Sequence, residues 1–151
     1  MQISVATIFV LGAMLGALPD SVFAAAPCGL VKTVTGSARV ERGTQVIPVI
    51  VGLSVEPNDR VVTSAGSAVG ITLRDDTLLA IGPGGAFTVE NFAFDQTTHE
   101  GNIAVRVTAG ALRVVTGLIA KQSPSSMKVI TPNAVVGVRG TDFVVDVPAN
   151  D

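Results

Sequence analysis

The chain has 151 residues, and its 10 basic and 12 acidic side chains give a formal net charge of −2. This is the length of one ordinary domain, and a near-neutral chain lacks the basic surface with which proteins grip nucleic acid. Trp and Tyr are absent, so the side chains that usually stack on sugars or on single-stranded nucleic acid are missing. One Cys and one His exclude an internal disulfide and a zinc cluster built from these residue types.

The N-terminal segment predicts a secretory signal peptide. Residues 3–18 are apolar apart from Ser4 and Thr7, and Pro19 follows them. The uninterrupted apolar stretch is shorter than the ~20 residues that a membrane-spanning helix needs. Val22 and Ala24 place small residues three positions and one position before a cleavage site. We therefore interpret residues 1–24 as a signal-peptide helix cleaved after Ala24, with a retained amphipathic anchor as the alternative, and we expect a periplasmic or secreted protein.

Residues 25–33 form a lead-in that contains Cys28. Lipoproteins begin at a cysteine after their signal, but Pro27 directly before Cys28 is a poor fit to the small, flexible residues that such processing requires. The sequence therefore favours a free thiol near the new N-terminus. A lone cysteine of this kind could pair between chains in an oxidising compartment.

The rest of the chain predicts an all-β domain. Short runs rich in β-branched residues are separated by Gly, Pro, Asn and Asp, which form turns. Apolar and polar side chains alternate in residues 69–73 and 102–108, which is typical of a sheet with one buried face. We expect one roll-like, short β-helical or sandwich domain of about ten short strands. The predicted strands are residues 30–34, 37–41, 44–51, 60–63, 68–73, 78–81, 86–92, 102–108, 111–115, 127–131 and 143–147.

Two polar groups could carry chemistry. His99 lies near Asp95 and Glu100 in a polar stretch, but an exposed loop histidine is the more ordinary interpretation. Asp75 and Asp76 could hold calcium or form a catalytic dyad. We favour a hairpin turn, because they lie between two strands and Asp tolerates positive φ. No phosphate loop and no Ser/His/Asp arrangement is supported, so we expect no catalytic residue, no metal, no cofactor and no enzymatic activity.

A strand-like run near the C-terminus contains Arg139 and Gly140. Strict alternation places Arg139, Thr141 and Phe143 on one face, and that face is apolar farther along. A buried guanidinium needs a carboxylate or several carbonyls. Either Gly140 forms a bulge that turns Arg139 outward, or Arg139 pairs with an acid, and we favour a structural arginine over one that binds a partner. The acids considered for such a pair are Asp75, Asp76 and Asp142.

Several motifs, in this order, resemble those of the FecR domain family. Residues 34–36 followed by Val40 resemble the opening strand pair, and residues 57–63 resemble the segment G…GD.I.T. Residues 73–83 resemble L.DGT.L.LGP, and residues 107–113 resemble L..G.LR. Residues 129–145 resemble the closing signature V.TP.A..GVRGT.F.V. Asn58 and Asp76 stand where the family prefers or allows Gly, and both residue types tolerate left-handed turns.

The resemblance covers residues 34–147 and implies a stand-alone FecR-like domain with an all-β, roll-like or β-helical fold. In the best-known members of the family that this chain resembles, the domain acts as a relay between an outer-membrane receptor and a cytoplasmic sigma factor. Those regulators also carry a cytoplasmic part and a membrane helix. We expect neither in this chain, and we therefore do not expect it to contact a sigma factor itself. The signature residues are then structural or partner-binding: Asp75, Asp76, Arg139, Gly140, Thr141, Asp142 and Phe143.

The resemblance and the excluded classes together give one hypothesis and one alternative. The hypothesis is an exported, non-enzymatic protein-binding module of the cell envelope, acting as a sensing or signalling accessory. The alternative is a structural or adhesive envelope component without a signalling role. We expect an envelope protein partner, no nucleic-acid partner and no stable membrane span once the signal is removed.

Overall fold

A computed structural model of the protein describes residues 25–139 and 141–148. Within them the chain is dominated by strands, which confirms the all-β prediction, and neither helical segment is long and apolar enough to cross a membrane. The predicted signal-peptide helix and the cleavage residue Ala24 lie outside the described residues. The elements are β1 (Gly29–Thr35), β2 (Ala38–Arg42), β3 (Gln45–Pro48), β4 (Ser54–Val55), β5 (Arg60–Thr63), β6 (Ala68–Leu73), β7 (Leu78–Ile81), β8 (Ala86–Phe94), β9 (Gly101–Val115), α1 (Leu118–Gln122), a 3₁₀ turn (Pro124–Ser126), β10 (Met127–Ile130), β11 (Val135–Gly137) and β12 (Asp142–Val147).

The strands form where apolar and polar side chains alternate. In β6 the side chains of Val69, Ile71 and Leu73 are buried, and those between them are half-buried. Strands β5 and β7 show the same period of two. The predictions for these three strands, 60–63, 68–73 and 78–81, are confirmed to the residue.

The strands form two sheets that share β9. Sheet A has the order β4-β1-β6-β7-β9-β12, and sheet B has the order β3-β2-β5-β8-β9-β10-β11. The paired strands of the described chain are antiparallel except for β9 and β10. Inward side chains from both sheets form one core, in which Ile71, Phe87 and Leu112 are fully buried. The curled architecture corresponds to the roll-like form among the expected ones.

Strand β9 corrects the prediction of two strands separated by a turn at residues 109–110. It is continuous from Gly101 to Val115, pairing with β8 in sheet B up to Ala109 and with β12 in sheet A from Gly110 onward. Gly110 has a φ of +77°, and a Cβ there would lie 2.6 Å from the Cα of Gly85. The positive φ of Gly110 bends the strand, and β8 and β12 supply hydrogen-bond partners before and after the bend. The strand therefore passes from sheet B into sheet A without ending.

Other boundaries differ for local reasons. Strand β3 ends at Pro48, short of the predicted residue 51, because the chain turns at residues 50–53, where Leu53 N donates to the carbonyl oxygen of Ile50 (3.1 Å). Strands β4 and β11 were missed, because two or three residues are too few to show alternation. Residues 29–33, assigned to the lead-in, belong to β1, and Cys28 and Val31 are part of the core. The folded unit therefore extends N-terminal to residue 34.

The bend in β9 predicts that Gly110→Ala is destabilising. The change forces a side chain into the left-handed region and against the backbone of Gly85, so we expect a loss of about 2–4 kcal/mol in the free energy of unfolding. Gly43→Ala is the matched control, because Gly43 also has positive φ (+58°) but a Cβ added there would have no neighbour within 4 Å. Urea unfolding of both variants measures the difference, and equal losses would show that the close approach to Gly85 is unimportant.

Candidate functional site

The turn between β6 and β7 contains the two neighbouring carboxylates. Asp76 is exposed and has a φ of +66°, whereas Asp75 is fully buried. The Oδ1 of Asp75 accepts a hydrogen bond from the backbone N–H of Thr77 (3.1 Å), and its Oδ2 accepts one from Thr77 Oγ1 (2.8 Å). This is the hairpin turn that the sequence analysis favoured. One carboxylate lies in the core and the other at the surface, so they do not form a carboxylate pair.

Asp75 also holds the segment that follows β9. Its carbonyl oxygen accepts a hydrogen bond from Leu118 N (2.7 Å), and its Oδ2 accepts one from Ile119 N (3.3 Å). Thr77 Oγ1 accepts a further bond from Gly117 N (3.0 Å). A Cβ at Gly117 would collide with the backbone of the turn. Asp75, Thr77 and Gly117 thus form a latch that fixes the start of α1, whose N-cap has no side-chain hydrogen bond of its own.

The C-terminal signature segment lies next to this latch. The backbone N–H of Thr116 donates to the carbonyl oxygen of Thr141 (2.9 Å), one residue before Gly117 of the latch. Asp142 then accepts two hydrogen bonds from the Arg113 guanidinium (3.0 and 2.6 Å), which lower the pKa of the Asp142 carboxyl. Phe143 is half-buried against the core. Three separate stretches of the chain therefore meet at this end of sheet A.

A short hairpin of β10 and β11 precedes the signature arginine. Its turn is closed by Thr131, whose N–H donates to the carbonyl oxygen of Ala134 (2.8 Å) and whose Oγ1 accepts from Ala134 N (3.1 Å). In β11 the side chains of Val135 and Val136 are 66% and 45% exposed. Val138 is buried, and its N–H donates to the carbonyl oxygen of Met127 (3.2 Å). The hairpin is thus anchored at both ends, with an apolar exposed strand between the anchors.

A family model described as FecR protein matches residues 59–151, a range that contains the latch, the β10–β11 hairpin and the signature segment. The chain belongs to the FecR family. The motif at residues 34–36, which also resembles the family, lies outside the matched range. No curated protein and no solved structure matches the chain.

The FecR signature arginine does not have the buried pairing that the sequence analysis considered. Arg139 is exposed, and no ion pair joins it to an acid in the part of the chain that the structure describes. Asp75 serves the latch and Asp142 pairs with Arg113. Alternation failed here because β11 ends at Gly137 and β12 begins at Asp142, so no strand runs through Arg139. The buried, paired alternative for Arg139 is therefore wrong, and its exposure agrees with the alternative in which the side chain turns outward. Its role as a structural rather than a partner-binding residue stays a prediction, and Gly140 lies outside the described residues.

The lone histidine of this FecR-family chain lies in the turn between β8 and β9. His99 is exposed and its ring stacks on Phe94, with ring centroids 6.3 Å apart. Asp95 caps the turn by accepting backbone hydrogen bonds from Thr98 and Thr97, which lower the pKa of its carboxyl. Across residues 25–139 and 141–148, no group of three or more His, Cys, Asp or Glu side chains could hold a metal ion.

Sequence reasoning missed a cluster of charges built on Arg42. Its guanidinium binds both carboxylate oxygens of Asp59 (2.8 and 2.7 Å), Glu56 (2.8 Å) and the carbonyl oxygen of Ser54 (2.9 Å). Asp59 is 1% exposed, so this ion pair is partly buried and bidentate. Hydrogen bonding to Asp59 raises the pKa of Arg42. The cluster links the β2–β3 corner to β4. Its one signal in the sequence was Asp59, the Asp of the GD.I.T motif.

Cys28 lies in the core beside β4. Its side chain is fully buried and its thiol donates to the carbonyl oxygen of Val55 (3.3 Å). Burial raises the pKa of the thiol from 9.0 to about 12. The protonated thiol therefore supports the folded state below pH 9, and this contribution is lost as the pH rises toward 12. The folded chain does not present the thiol for pairing with another chain.

We predict that Cys28 is unreactive in the folded protein. Ellman's reagent at pH 8 should modify it at least about 100-fold more slowly than in 8 M urea, because a thiolate forms only when the site opens. Ser125→Cys provides the matched control, because Ser125 is exposed and the new thiol should react at once. Two fast-reacting thiols in the folded control variant would contradict the burial of Cys28.

The latch predicts that the two neighbouring aspartates differ sharply in their contribution to stability. Asp75→Ala leaves the buried donors of Thr77 and Ile119 without an acceptor, so we expect a loss of about 2–4 kcal/mol in the free energy of unfolding. Asp76→Gly should leave stability unchanged or raise it by up to about 1 kcal/mol, because glycine suits positive φ. Thermal and urea unfolding measure both variants, and similar losses at the two positions would argue against the latch.

Proposed function

We propose that this FecR-family chain is an exported, non-enzymatic module of the cell envelope that binds a protein partner in sensing or signalling. Export is supported by the apolar residues 3–18 and by the small residues Val22 and Ala24 before the predicted cleavage site. Protein binding is supported by one observation in particular, the open edge of sheet B at β11. Here an apolar strand is exposed along its whole length.

The other sheet edges carry features that discourage pairing. Strand β4 has two residues, and β3 ends in Pro48. Strand β12 holds Asp142 and Asp146 on its exposed face. Short length, proline and outward charges are the means by which natural proteins keep sheet edges from pairing with other chains. These three edges are therefore protected against strand addition.

Strand β11 is also short, with three residues, but it lacks the proline and the outward charges that protect the other edges. Val135, Val136 and Gly137 are exposed, and none of them carries a charge or a proline ring. The strand pairs only with β10 among the described strands, so its outer edge offers main-chain hydrogen-bonding groups. An extended segment of a partner that adds beside β11 would cover Val135 and Val136 as it pairs. Because the hairpin is already ordered, this chain itself loses little conformational entropy when the partner binds.

Site-specific photo-crosslinking in the native host tests this mode of binding. A photoreactive phenylalanine at position 135 should give one dominant protein adduct. Position 46 is the matched control, because Val46 is 65% exposed, close to the 66% of Val135, and lies on β3 at the opposite edge of sheet B. N-terminal sequencing of the tagged protein should show a chain that begins after Ala24.

Each other outcome of this experiment contradicts part of the proposal. The same abundant envelope proteins at both positions would mean that β11 has no specific partner. Adducts of the chain only with itself would favour the structural or adhesive alternative. A protein recovered with Met1 from the cytoplasm would contradict export.

A further inference from the structure

The outer face of sheet B contains a hollow with a polar rim. A cavity of about 360 Å³ opens there, which lies in the size range of small-ligand sites. Its floor includes Ala104 of β9. The polar side chains around this floor come from β8, β9, the 3₁₀ turn and β10: Asn91, Asn102, Ser125, Ser126 and Lys128. We name this group the polar ring.

Strand register explains the hollow. Asn91, Ala104, Lys128 and Gly137 lie in one row across β8, β9, β10 and β11. Adjacent strands are ~4.8 Å apart, so Asn91 and Lys128 stand about 10 Å apart on either side of Ala104. Ala104 contributes only a methyl group to the row, and Gly137 on the far side of Lys128 contributes nothing. The small side chain of Ala104 thus keeps the floor of the cavity open, and the lack of a side chain at Gly137 keeps the flank of Lys128 open.

A β-bulge places Asn91 on this face. Along β8 the side chains of Phe87 and Val89 are buried, so simple alternation would direct Asn91 into the core. The register with β9 shifts between Val89 and Asn91, and beyond the shift Phe92 packs against the core while Asn91 is exposed. Bulges are a recurrent means of redirecting one side chain out of a strand. The redirected side chain here is a carboxamide beside a cavity.

The polar ring is not used by the fold. Within residues 25–139 and 141–148, its five side chains make no hydrogen bond or ion pair with the protein. The neighbouring charges on the same face differ in this respect, because Arg106 is bound to Glu90. Among the residues that the structure describes, no carboxylate lines the cavity, and Lys128 is its one charged group.

We propose that the polar ring binds an acidic sugar chain, a class of ligand that goes beyond the protein partner proposed above and does not depend on it. Carboxamides and hydroxyls both donate and accept hydrogen bonds, as neighbouring sugar hydroxyls do. The ammonium group of Lys128 complements a sugar carboxylate. A bare anion would use only the donors and leave the amide oxygens of Asn91 and Asn102 unmatched. Without Trp or Tyr to stack on a ring, binding of a short chain is weak, in the millimolar range.

Titration of the purified, ¹⁵N-labelled protein followed by NMR tests the proposal. Trigalacturonate should shift the backbone amide of Ala104 and the side-chain amides of Asn91 and Asn102. Maltotriose, which has hydroxyls but no carboxylate, should bind the same residues about tenfold more weakly. Inorganic phosphate, which has charge but no hydroxyl pattern, should not shift the two side-chain amides.

Two lysine variants distinguish binding at the polar ring from a general effect of positive surface charge. Lys128→Gln should raise the Kd for trigalacturonate about five- to tenfold, the range of a charge-assisted hydrogen bond at a partly exposed site, and leave maltotriose unaffected. Lys121→Gln is the matched control, because Lys121 is exposed on α1 and does not line the cavity. The same spectra report whether each variant is folded.

Three results would overturn the proposal. They are an absence of shifts at Ala104, Asn91 and Asn102 with trigalacturonate, equal binding of inorganic phosphate at the ring, or equal weakening by the two lysine variants. The first would show that the hollow binds no sugar. The second would indicate a site for any anion, and the third a general charge effect.

Discussion

The continuity of β9 through Gly110 is the constraint on which the rest of the structure depends. Residues before the bend pair within sheet B and residues after it pair within sheet A, so one strand supplies hydrogen bonds to both halves of the curled fold. Gly85, in the β7–β8 loop, lies directly against the bend, so a side chain at Gly110 would collide with its backbone. The two inner faces can therefore close over one core, although neither sheet is closed on itself.

The parallel pairing of β10 with β9 imposes a second requirement, because parallel neighbours need a crossover rather than a hairpin. Here the crossover is short and consists of α1 and the 3₁₀ turn. The latch at Asp75 and Thr77 fixes where it starts, and a helix of five residues has little stability of its own to do this. The hydrogen bond from Thr116 to Thr141 then sets β12 beside the end of β9. The FecR motifs that are far apart in the chain thus serve one junction.

Sequence reasoning succeeded where the determining pattern is local. Residues 68–73 were predicted to the residue because each inward position is apolar, and the order of short motifs identified the family. It failed where the determinant is distant or depends on context. The contact from Asp75 to Ile119 spans 44 positions and the pair of Arg42 and Asp59 spans 17, so neither has a local signature. Glycine usually ends a strand, but Gly110 bends a strand that continues. At Arg139 the predicted alternation was extended beyond the end of β11.

Sheet B places its two proposed binding features on either side of β10 without overlap. Lys128 of β10 faces the hollow over Ala104, while Val136 of β11 lies at the open edge. A strand that adds beside β11 extends the sheet in its own plane, whereas a sugar chain over Ala104 rests on the outer face, about three strand spacings (~14 Å) away. Occupation of one feature therefore leaves the other accessible. Gly137 of β11 lies opposite Lys128, and its lack of a side chain keeps that flank of the lysine open.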